Sequence, residues 1–341
     1  MNERIPNAGA AALYEHDVRA SSAPAITERV SPCPICSAET AVRRFEIAGM
    51  EEGVVACTEC GLGRLYPTPS PDRLRALYPD EYYGEPGRKF QSLIEGLVRA
   101  VGERHISFLS RELTAGARIL DVGCGRGVTL GALAEQGFEV HGLEISAEAA
   151  RGADPRIEIR IAENLKDAEY RAASFDQVII WHVLEHLNDP VGTLREAHRI
   201  LKPGGRLIVA VPNFSSLQAR CAGAAWFHLD LPRHVHHFPL PALQQLLTIT
   251  GFHVRSVHHF SLRQNPFGWI QSAMNRLGSL PRNGLYALLH RRSSDAPPPY
   301  DARTRGWLWF GLFAAAPFAL AATLVGTALR RGATVHVVAI R

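Results

Sequence analysis

The stretch Asp121-Val-Gly-Cys-Gly-Arg-Gly127 decides the fold. It follows a short apolar run at residues 118–122, and it precedes a helical pattern at 128–136 that Gly137 closes. A glycine loop between a strand and a helix lets the backbone approach a ligand closely at the carboxyl edge of a sheet. The spacing is Gly-x-Gly-x-Gly, with Val128 where a dinucleotide site has its third glycine, which favours a ligand without a pyrophosphate.

Apolar runs of strand length alternate with helical patterns on both sides of this loop. This alternation predicts an α/β fold with a doubly wound, mainly parallel seven-stranded sheet. The predicted strands are 118–122, 138–143, 157–161, 175–182, 206–211, 252–258 and 334–341. The predicted helices are 128–136, a helix capped by Ser146, 190–201 and 239–250.

Three motifs in order resemble the class I S-adenosylmethionine-dependent methyltransferases, which have a Rossmann-like fold. The first is the glycine loop with Glu144 at the end of the second predicted strand. The second is the strand and helix start at 175–190, and the third is Leu201-Lys-Pro-Gly-Gly205 before the fifth strand. The resemblance covers about residues 90–261 and the final strand. A nucleotide-sugar or NAD enzyme on a similar fold is the alternative.

The resemblance implies a cofactor site for S-adenosylmethionine, with a role for each matching residue. Glycines of the loop face the methionine and ribose, Asp121 orders the loop or reaches the methionine amine, and Glu144 holds the ribose diol. Ile145 flanks the adenine, and the candidates for contact with the adenine amino group are Glu163 and Asn164. The full set is Asp121, Gly123, Gly125, Gly127, Glu144, Ile145, Glu163, Asn164 and His182.

Histidines near the carboxyl ends of the fourth and fifth strands are the candidate bases. Methyl transfer requires alignment of the nucleophile with the methyl carbon, and a hydroxyl or carbon nucleophile can also need a base. We rank His234 first, then His182 and His237, because a loop after the fifth strand would lie over the methyl group. These histidines could instead only orient the loop, or bind a metal ion.

Four cysteines near the N-terminus form two Cys-x-x-Cys pairs separated by twenty residues. This spacing is typical of tetrahedral Zn²⁺ ligation by four thiolates, and such a closed site is structural. The ligands would be Cys33, Cys36, Cys57 and Cys60. Two disulfides are the alternative. The ribbon and the sequence Asp230-x-Pro-Arg-His-x-x-His-Phe238 resemble a subgroup of bacterial methyltransferases associated with glycan and polysaccharide assembly.

Composition sets limits on class and location. The chain has 341 residues and a formal net charge of +4, which argues against nucleic-acid binding through a broad basic surface. The predicted parts are a loose tail at 1–30, the zinc ribbon at 31–70, a connector at 71–89 and the methyltransferase domain at 90–341. The tail lacks the apolar core of a secretory signal, so we expect a cytoplasmic protein.

Residues 262–332 form an apolar insertion in the predicted domain. No charged residue occurs from Gly306 to Leu329, a length that could cross a bilayer. A single crossing would separate the sixth and seventh strands, so we expect peripheral contact with the inner face of the cytoplasmic membrane, with a bend at Pro317. A soluble lid, an oligomer contact and two crossings are the alternatives.

These observations predict methyl transfer from S-adenosylmethionine to a sugar or glycan acceptor, either free or lipid-linked, in envelope or polysaccharide biosynthesis. One alternative is a methyltransferase that acts on a small lipid or quinone-like molecule. The other is a non-catalytic cofactor-binding protein that recruits partners through its ribbon and its apolar insertion.

Overall fold

The structure is a computed structural model that describes residues 17–21, 27–70, 73, 95–289 and 300–341. Side chains are described from residue 102 onward in the first helix. Most of the predicted connector, including Tyr82 and Tyr83, lies outside the described residues. The described chain forms two sheets, numbered together along the sequence.

The N-terminal sheet contains five strands from the first 66 residues. It has the order β1-β3-β4-β5-β11. The strand β2 also pairs with β3, along residues 40–42, whereas β1 pairs along residues 45–47. The strands are β1 Val18–Ala20, β2 Thr27–Arg29, β3 Thr40–Ile47, β4 Gly53–Cys57 and β5 Gly63–Tyr66, joined by β11 His236–His237 from far along the chain. The prediction of a loose tail over residues 1–30 is therefore wrong for β1 and β2, which pair antiparallel with β3.

The main sheet has seven strands in the order β12-β13-β10-β9-β6-β7-β8. Its strands are β6 Arg118–Val122, β7 Glu139–Glu144, β8 Glu158–Ile161, β9 Phe175–Trp181, β10 Leu201–Pro212, β12 His253–His258 and β13 Thr334–Ile340. Only β13 is antiparallel to its two neighbours, β10 and β12. The predicted mainly parallel, seven-stranded sheet is confirmed.

Helices cover both faces of the main sheet. They are α1 Glu95–Ser110, α2 Val128–Glu135, α3 Pro190–Ile200, α4 Leu217–Ala222, α5 Leu240–Ile249, α6 Asn265–Leu277, α7 Gly284–Leu289 and α8 Ala302–Ala328. Ile119 belongs to the same buried cluster as Leu130 of α2, whereas Leu120 belongs to the cluster of Leu246 of α5. Alternate residues of one strand therefore serve opposite faces, as in a doubly wound fold.

Two predicted helical features differ from the structure. Ser146 caps only turns: its Oγ accepts a hydrogen bond from the Ala149 amide at 3.1 Å, and no helix follows before β8. Pro317 does not fold the apolar insertion into a hairpin, because α8 runs through it as one 27-residue helix. Proline removes one helical hydrogen bond, and packing at both ends of α8 holds the rest of the helix.

Candidate functional site

The glycine loop lies at the carboxyl edge of the main sheet, between β6 and α2. Gly123, Gly125 and Gly127 all have positive φ, at 73°, 54° and 68°. A Cβ on Gly123 would lie 2.5 Å from Val183 Cγ2, and a Cβ on Gly127 would lie 2.8 Å from Ile157 Cδ1. The loop therefore requires glycine for both conformation and space at two positions, while Gly125 faces open space.

Glu144, the last residue of β7, is buried and reaches back to this loop. Its Oε2 accepts a hydrogen bond from the Gly125 amide and its Oε1 accepts one from the Ile145 amide, each at 2.8 Å. A carboxylate has about four acceptor positions, so two remain for the two hydroxyls of a diol. We call residues 121–127 together with Glu144 the cofactor cradle.

Asp121 is a second buried carboxylic acid in the cofactor cradle. Burial, followed by the negative charge of Glu144, raises the pKa of Asp121 to about 7. A ligand with a positive charge near this carboxyl would favour its ionised form. The cradle therefore offers acceptors and negative charge, which suits a ligand that carries hydroxyls and an ammonium group.

The other predicted cofactor residues lie near the cradle with differing contacts. Ile145 follows Glu144, and its side chain is 49% exposed, so it offers an apolar surface. The Ala162 amide donates to the Glu144 carbonyl at 3.0 Å, which brings exposed Glu163 to this edge. Asn164 Oδ1 accepts from the Lys166 and Asp167 amides, both at 3.1 Å, so this side chain is occupied in a local turn.

His182 follows β9 at the same edge of the sheet. Its φ is +54°, a strained value for a residue other than glycine. Its Nδ1 lies 3.1 Å from Glu185 Oε1, and its buried Nε2 has no hydrogen-bond partner among the described residues. When Nδ1–H donates to the carboxylate, Nε2 carries the lone pair, so this pair can accept a proton at Nε2.

His234 and His237 lie in a segment that we call the His-rich loop, residues 226–238. His234 Nδ1 lies 2.9 Å from the His228 carbonyl, and His237 Nε2 lies 3.1 Å from the Leu229 carbonyl. Burial lowers the pKa of His234 well below its ordinary value, and it lowers that of His237 to about 4. Both imidazoles are therefore neutral near pH 7, and each is held by the loop's own backbone.

The His-rich loop joins the two sheets, which the sequence did not predict. Its strand β11 pairs with β5 of the N-terminal sheet, with His237 opposite Gly63. On its other side, the Val235 amide donates to the Glu185 carbonyl at 3.0 Å, and His236 Nδ1 lies 3.0 Å from the Leu187 carbonyl. Glycine is needed at position 63 where the two strands pair, because a Cβ there would lie 2.9 Å from His237 Cβ.

The four predicted metal-binding cysteines lie together as free thiols at one end of the N-terminal sheet. Cys33 Sγ is 3.6 Å from Cys60 Sγ, and Cys36 Sγ is 3.5 Å from Cys57 Sγ. Four sulfurs at Zn–S distances of about 2.3 Å would be separated by about 3.8 Å in a tetrahedron. Both Sγ–Sγ distances are close to this value, so the four cysteines fit a closed Zn²⁺ site.

Comparison with known proteins finds a family match for most of the main domain. Residues 95–257 match the family profile described as "Methyltransferase domain". This match and the order of the seven strands agree with the Rossmann-like methyltransferase fold predicted from the sequence. The cysteine cluster is consistent with a small zinc ribbon in front of it.

The relatives include ubiquinone biosynthesis O-methyltransferases of Xanthomonas. The protein of Xanthomonas oryzae pv. oryzae (strain PXO99A) is 31% identical over 151 residues, which cover 41% of this chain and 63% of that protein. The protein of Xanthomonas campestris pv. campestris (strain 8004) is 31% identical over 138 residues, with coverage of 38% and 58%. This chain thus spans less than two thirds of the length of these relatives.

Among solved structures, an S-adenosylmethionine-dependent methyltransferase from Mesorhizobium loti is 20% identical, with a TM-score of 0.44. The similarity covers 72% of this chain and 100% of that one.

Proposed function

We propose that this protein transfers a methyl group from S-adenosylmethionine to a hydroxyl of a small quinone-like or lipid-like acceptor. The observation that carries the proposal is the cofactor cradle, in which Glu144 links the end of β7 to the Gly125 amide. When bound, S-adenosylmethionine supplies an electrophilic methyl group on a sulfonium. The main-chain amides and carboxylates of the cradle supply binding and orientation.

Glu144 would hold the ribose diol through its remaining acceptor positions, and Asp121 would attract the methionine ammonium. Gly123, Gly125 and Gly127 would let the backbone approach the cofactor. Ile145 would cover one adenine face, with Glu163 beside the adenine amino group. The hydrogen bonds of Asn164 within its own turn favour Glu163 over Asn164 for that last role.

His182 is our choice for the base. Its Nε2 would accept the hydroxyl proton while Glu185 holds its Nδ1, and the acceptor oxygen would attack the methyl carbon. His234 and His237, ranked first and third from the sequence, have ring nitrogens on backbone carbonyls instead. Their contacts support a role in positioning the His-rich loop.

For the acceptor, the comparisons favour the quinone-like alternative over the sugar or glycan acceptor that ranks first from the sequence. The support is the name of the Xanthomonas relatives, whose matched region covers 41% of this chain. The polysaccharide assignment rests on the resemblance of the ribbon and the His-rich loop alone.

The surface of α8 supports a location at a membrane. By length and apolar composition alone, this helix could also cross one. Phe310, Phe313 and Phe318 are 64%, 71% and 76% exposed, and the two threonines of the uncharged stretch are turned toward the protein. A surface helix normally carries polar residues on its outer face, so an exposed apolar face indicates a covering partner.

Both ends of α8 are held by the same domain, so we propose that it lies in the membrane interface. Leu308 near its start is fully buried, and after its end the Leu217 amide donates to the Arg331 carbonyl at 3.0 Å. Exposed Arg303, Arg330 and Arg331 flank the apolar face and would attract anionic lipid headgroups. A quinone-like acceptor dissolved in that membrane would be within reach.

We also propose Zn²⁺ at the four cysteines. The ion would be structural, because four thiolates leave no open coordination position. Its effect on function would pass through β5 and β11 to the His-rich loop.

The acceptor is tested by incubating the purified chain with S-adenosylmethionine and two sets of acceptors, ortho-dihydroxyphenyl compounds and bacterial glycans. We expect S-adenosylhomocysteine and a methyl ether from the phenols, measured by mass spectrometry. Methyl transfer to the glycans alone would favour the sugar or glycan acceptor that ranks first from the sequence. Cofactor binding with turnover of neither set would support the non-catalytic alternative.

The membrane proposal is tested by co-sedimentation with vesicles of phosphatidylcholine, with and without phosphatidylglycerol. We expect the full chain to bind the anionic vesicles, and the triple variant Phe310→Ser, Phe313→Ser, Phe318→Ser to remain in solution. Ile249→Ser, on exposed α5 surface elsewhere, is the matched control. If the triple variant instead converts a dimer into a monomer, α8 is an oligomer contact.

A further inference from the structure

Three side chains with metal-binding atoms converge where the turn after β9 meets the His-rich loop. They are Glu185 and His186, from the 3₁₀ turn Leu184–His186, and His234. One nitrogen or oxygen atom of each lies within 4.8 Å of the other two. Glu185 and His234 are buried and His186 is half-buried, so this is not a cluster of solvated surface groups.

The two imidazoles are oriented in the same way. His186 Nδ1 lies 3.1 Å from the Arg233 carbonyl, and His234 Nδ1 lies 2.9 Å from the His228 carbonyl. An imidazole that donates Nδ1–H to a carbonyl carries its lone pair on Nε2, and metal-binding histidines are commonly fixed by such a bond. Each ring is therefore set in the tautomer that can bind a cation through Nε2.

Glu185 supplies the charge. Its side chain is almost fully buried; Oε1 contacts His182 Nδ1 at 3.1 Å, and Oε2 has no hydrogen-bond partner among the described residues. A buried carboxylate oxygen without a partner is unfavourable, and buried charges are usually paired or bound to metals. A cation between Glu185 and the two imidazoles would satisfy this oxygen.

We infer that Glu185, His186 and His234 bind a divalent transition-metal ion, distinct from the ion at the cysteines. Two imidazoles and one carboxylate suit ions such as Zn²⁺, Mn²⁺ or Fe²⁺. A tetrahedral site needs ligand atoms about 3.4 Å apart, so side-chain shifts of about 1 Å close it. The ion would fasten the His-rich loop to the end of β9.

Three protein ligands leave at least one coordination position for water. Asp230 Oδ2 lies 3.7 Å from His234 Nε2, but Asp230 is ion-paired with Arg233, which balances its charge beside the site. If the proposed function holds, an acceptor oxygen could take the open position next to His182. This last step rests on the proposed function, whereas metal binding itself does not.

The test counts metal ions per chain in the purified full-length protein, by mass spectrometry after loading with Zn²⁺ and dialysis. We expect two ions in the unaltered protein and one in His234→Asn and His186→Asn. Asparagine keeps a donor near the Nδ1 position and removes the Nε2 ligand. His236→Asn is the matched control, because His236 also places Nδ1 on a backbone carbonyl and lies outside the cluster; it should retain two ions.

A Co²⁺-loaded sample of the unaltered protein gives a second readout that needs no variant. Thiolate-bound Co²⁺ has strong charge-transfer absorption, whereas a site of nitrogen and oxygen ligands has only weak visible bands. As Co²⁺ is added, we expect the charge-transfer absorption and the weak visible bands to appear one after the other. The inference would be overturned if the protein bound one ion per chain, if Cys57→Ser removed that ion, and if no second Co²⁺ signal appeared. Two ions that persist in both histidine variants would also overturn it. Neither readout needs cofactor or acceptor, so failure of methyl transfer remains a separate result.

Discussion

The cofactor cradle and the His-rich loop lie at the same edge of one sheet, but the chain builds them differently. The cradle comes from one contiguous strand-loop-helix-strand segment, residues 118–144. The His-rich loop is held by the turn after β9 on one side and by β5 of the N-terminal sheet on the other. A contiguous site can be identified from its motif, whereas a site assembled from distant segments depends on how those segments dock.

The cradle and the His-rich loop also differ in what they depend on for support. The cradle would hold the cofactor through its own backbone and two carboxylates, and Glu144 is itself held by the amides of Gly125 and Ile145. The His-rich loop depends on the ribbon for its pairing through β5. We therefore expect changes in the ribbon or the loop to alter methyl transfer while leaving cofactor affinity nearly unchanged.

The largest expected effect is on the rate of methyl transfer in His182→Asn. Asparagine tolerates positive φ and keeps a donor toward Glu185, but it has no Nε2 to accept the proton. We expect a loss of about 10²–10⁴-fold in kcat, with cofactor affinity within about threefold. The readout is S-adenosylhomocysteine formation with the best acceptor.

The matched control for this change is His237→Gln, which keeps a donor near the Nε2 position toward the Leu229 carbonyl. We expect a rate near that of the unaltered protein. A large loss in the control with none in His182→Asn would assign the base to His237.

A smaller effect should follow from loss of the zinc site in Cys57→Ser. Without the ion, β5 would no longer be fixed, and the His-rich loop would lose its support at β11. We expect about 10–100-fold slower methyl transfer, comparable to the loss of outer-shell support in metal sites. Calorimetry should show unchanged cofactor affinity; a parallel loss of binding would mean that the cradle also depends on the ribbon.

The smallest effect concerns the pH dependence of cofactor binding through Asp121. Its pKa of about 7 means that the carboxyl is increasingly protonated below pH 7 and ionised above it. Because a methionine ammonium favours the ionised form, affinity should fall about tenfold from pH 8 to pH 6, with proton release on binding. Calorimetry in two buffers measures both, and Asp121→Asn should abolish the dependence.

Much of the main sheet is predictable because its strands have local signals. The seven predicted strands agree with β6 to β10, β12 and β13, mostly within one or two residues. The fifth strand begins five residues earlier than predicted, because Leu201 already pairs with β9 and a bulge separates it from Arg206. The Lys202-Pro-Gly-Gly205 sequence is typical of a turn and conceals that early start.

The parts that could not be predicted depend on distant pairing. The strands β1 and β2 are only three residues long, and β2 is entirely polar, so no periodicity marks them before β3 is placed beside them. The pair His182–Glu185 is local, but its importance follows from the buried Nε2, which only the fold reveals. The Glu185–His186–His234 cluster likewise needs the docked loop.

Calorimetric titration of the purified full chain with S-adenosylmethionine tests the central claim most directly. We predict one binding site per chain, weakened at least about 100-fold in Glu144→Ala, because two charge-assisted hydrogen bonds to the ribose would be lost. Glu148→Ala, in the turn that follows, should bind as the unaltered protein does. Absence of binding in the folded protein, or equal affinity in Glu144→Ala, would contradict the account.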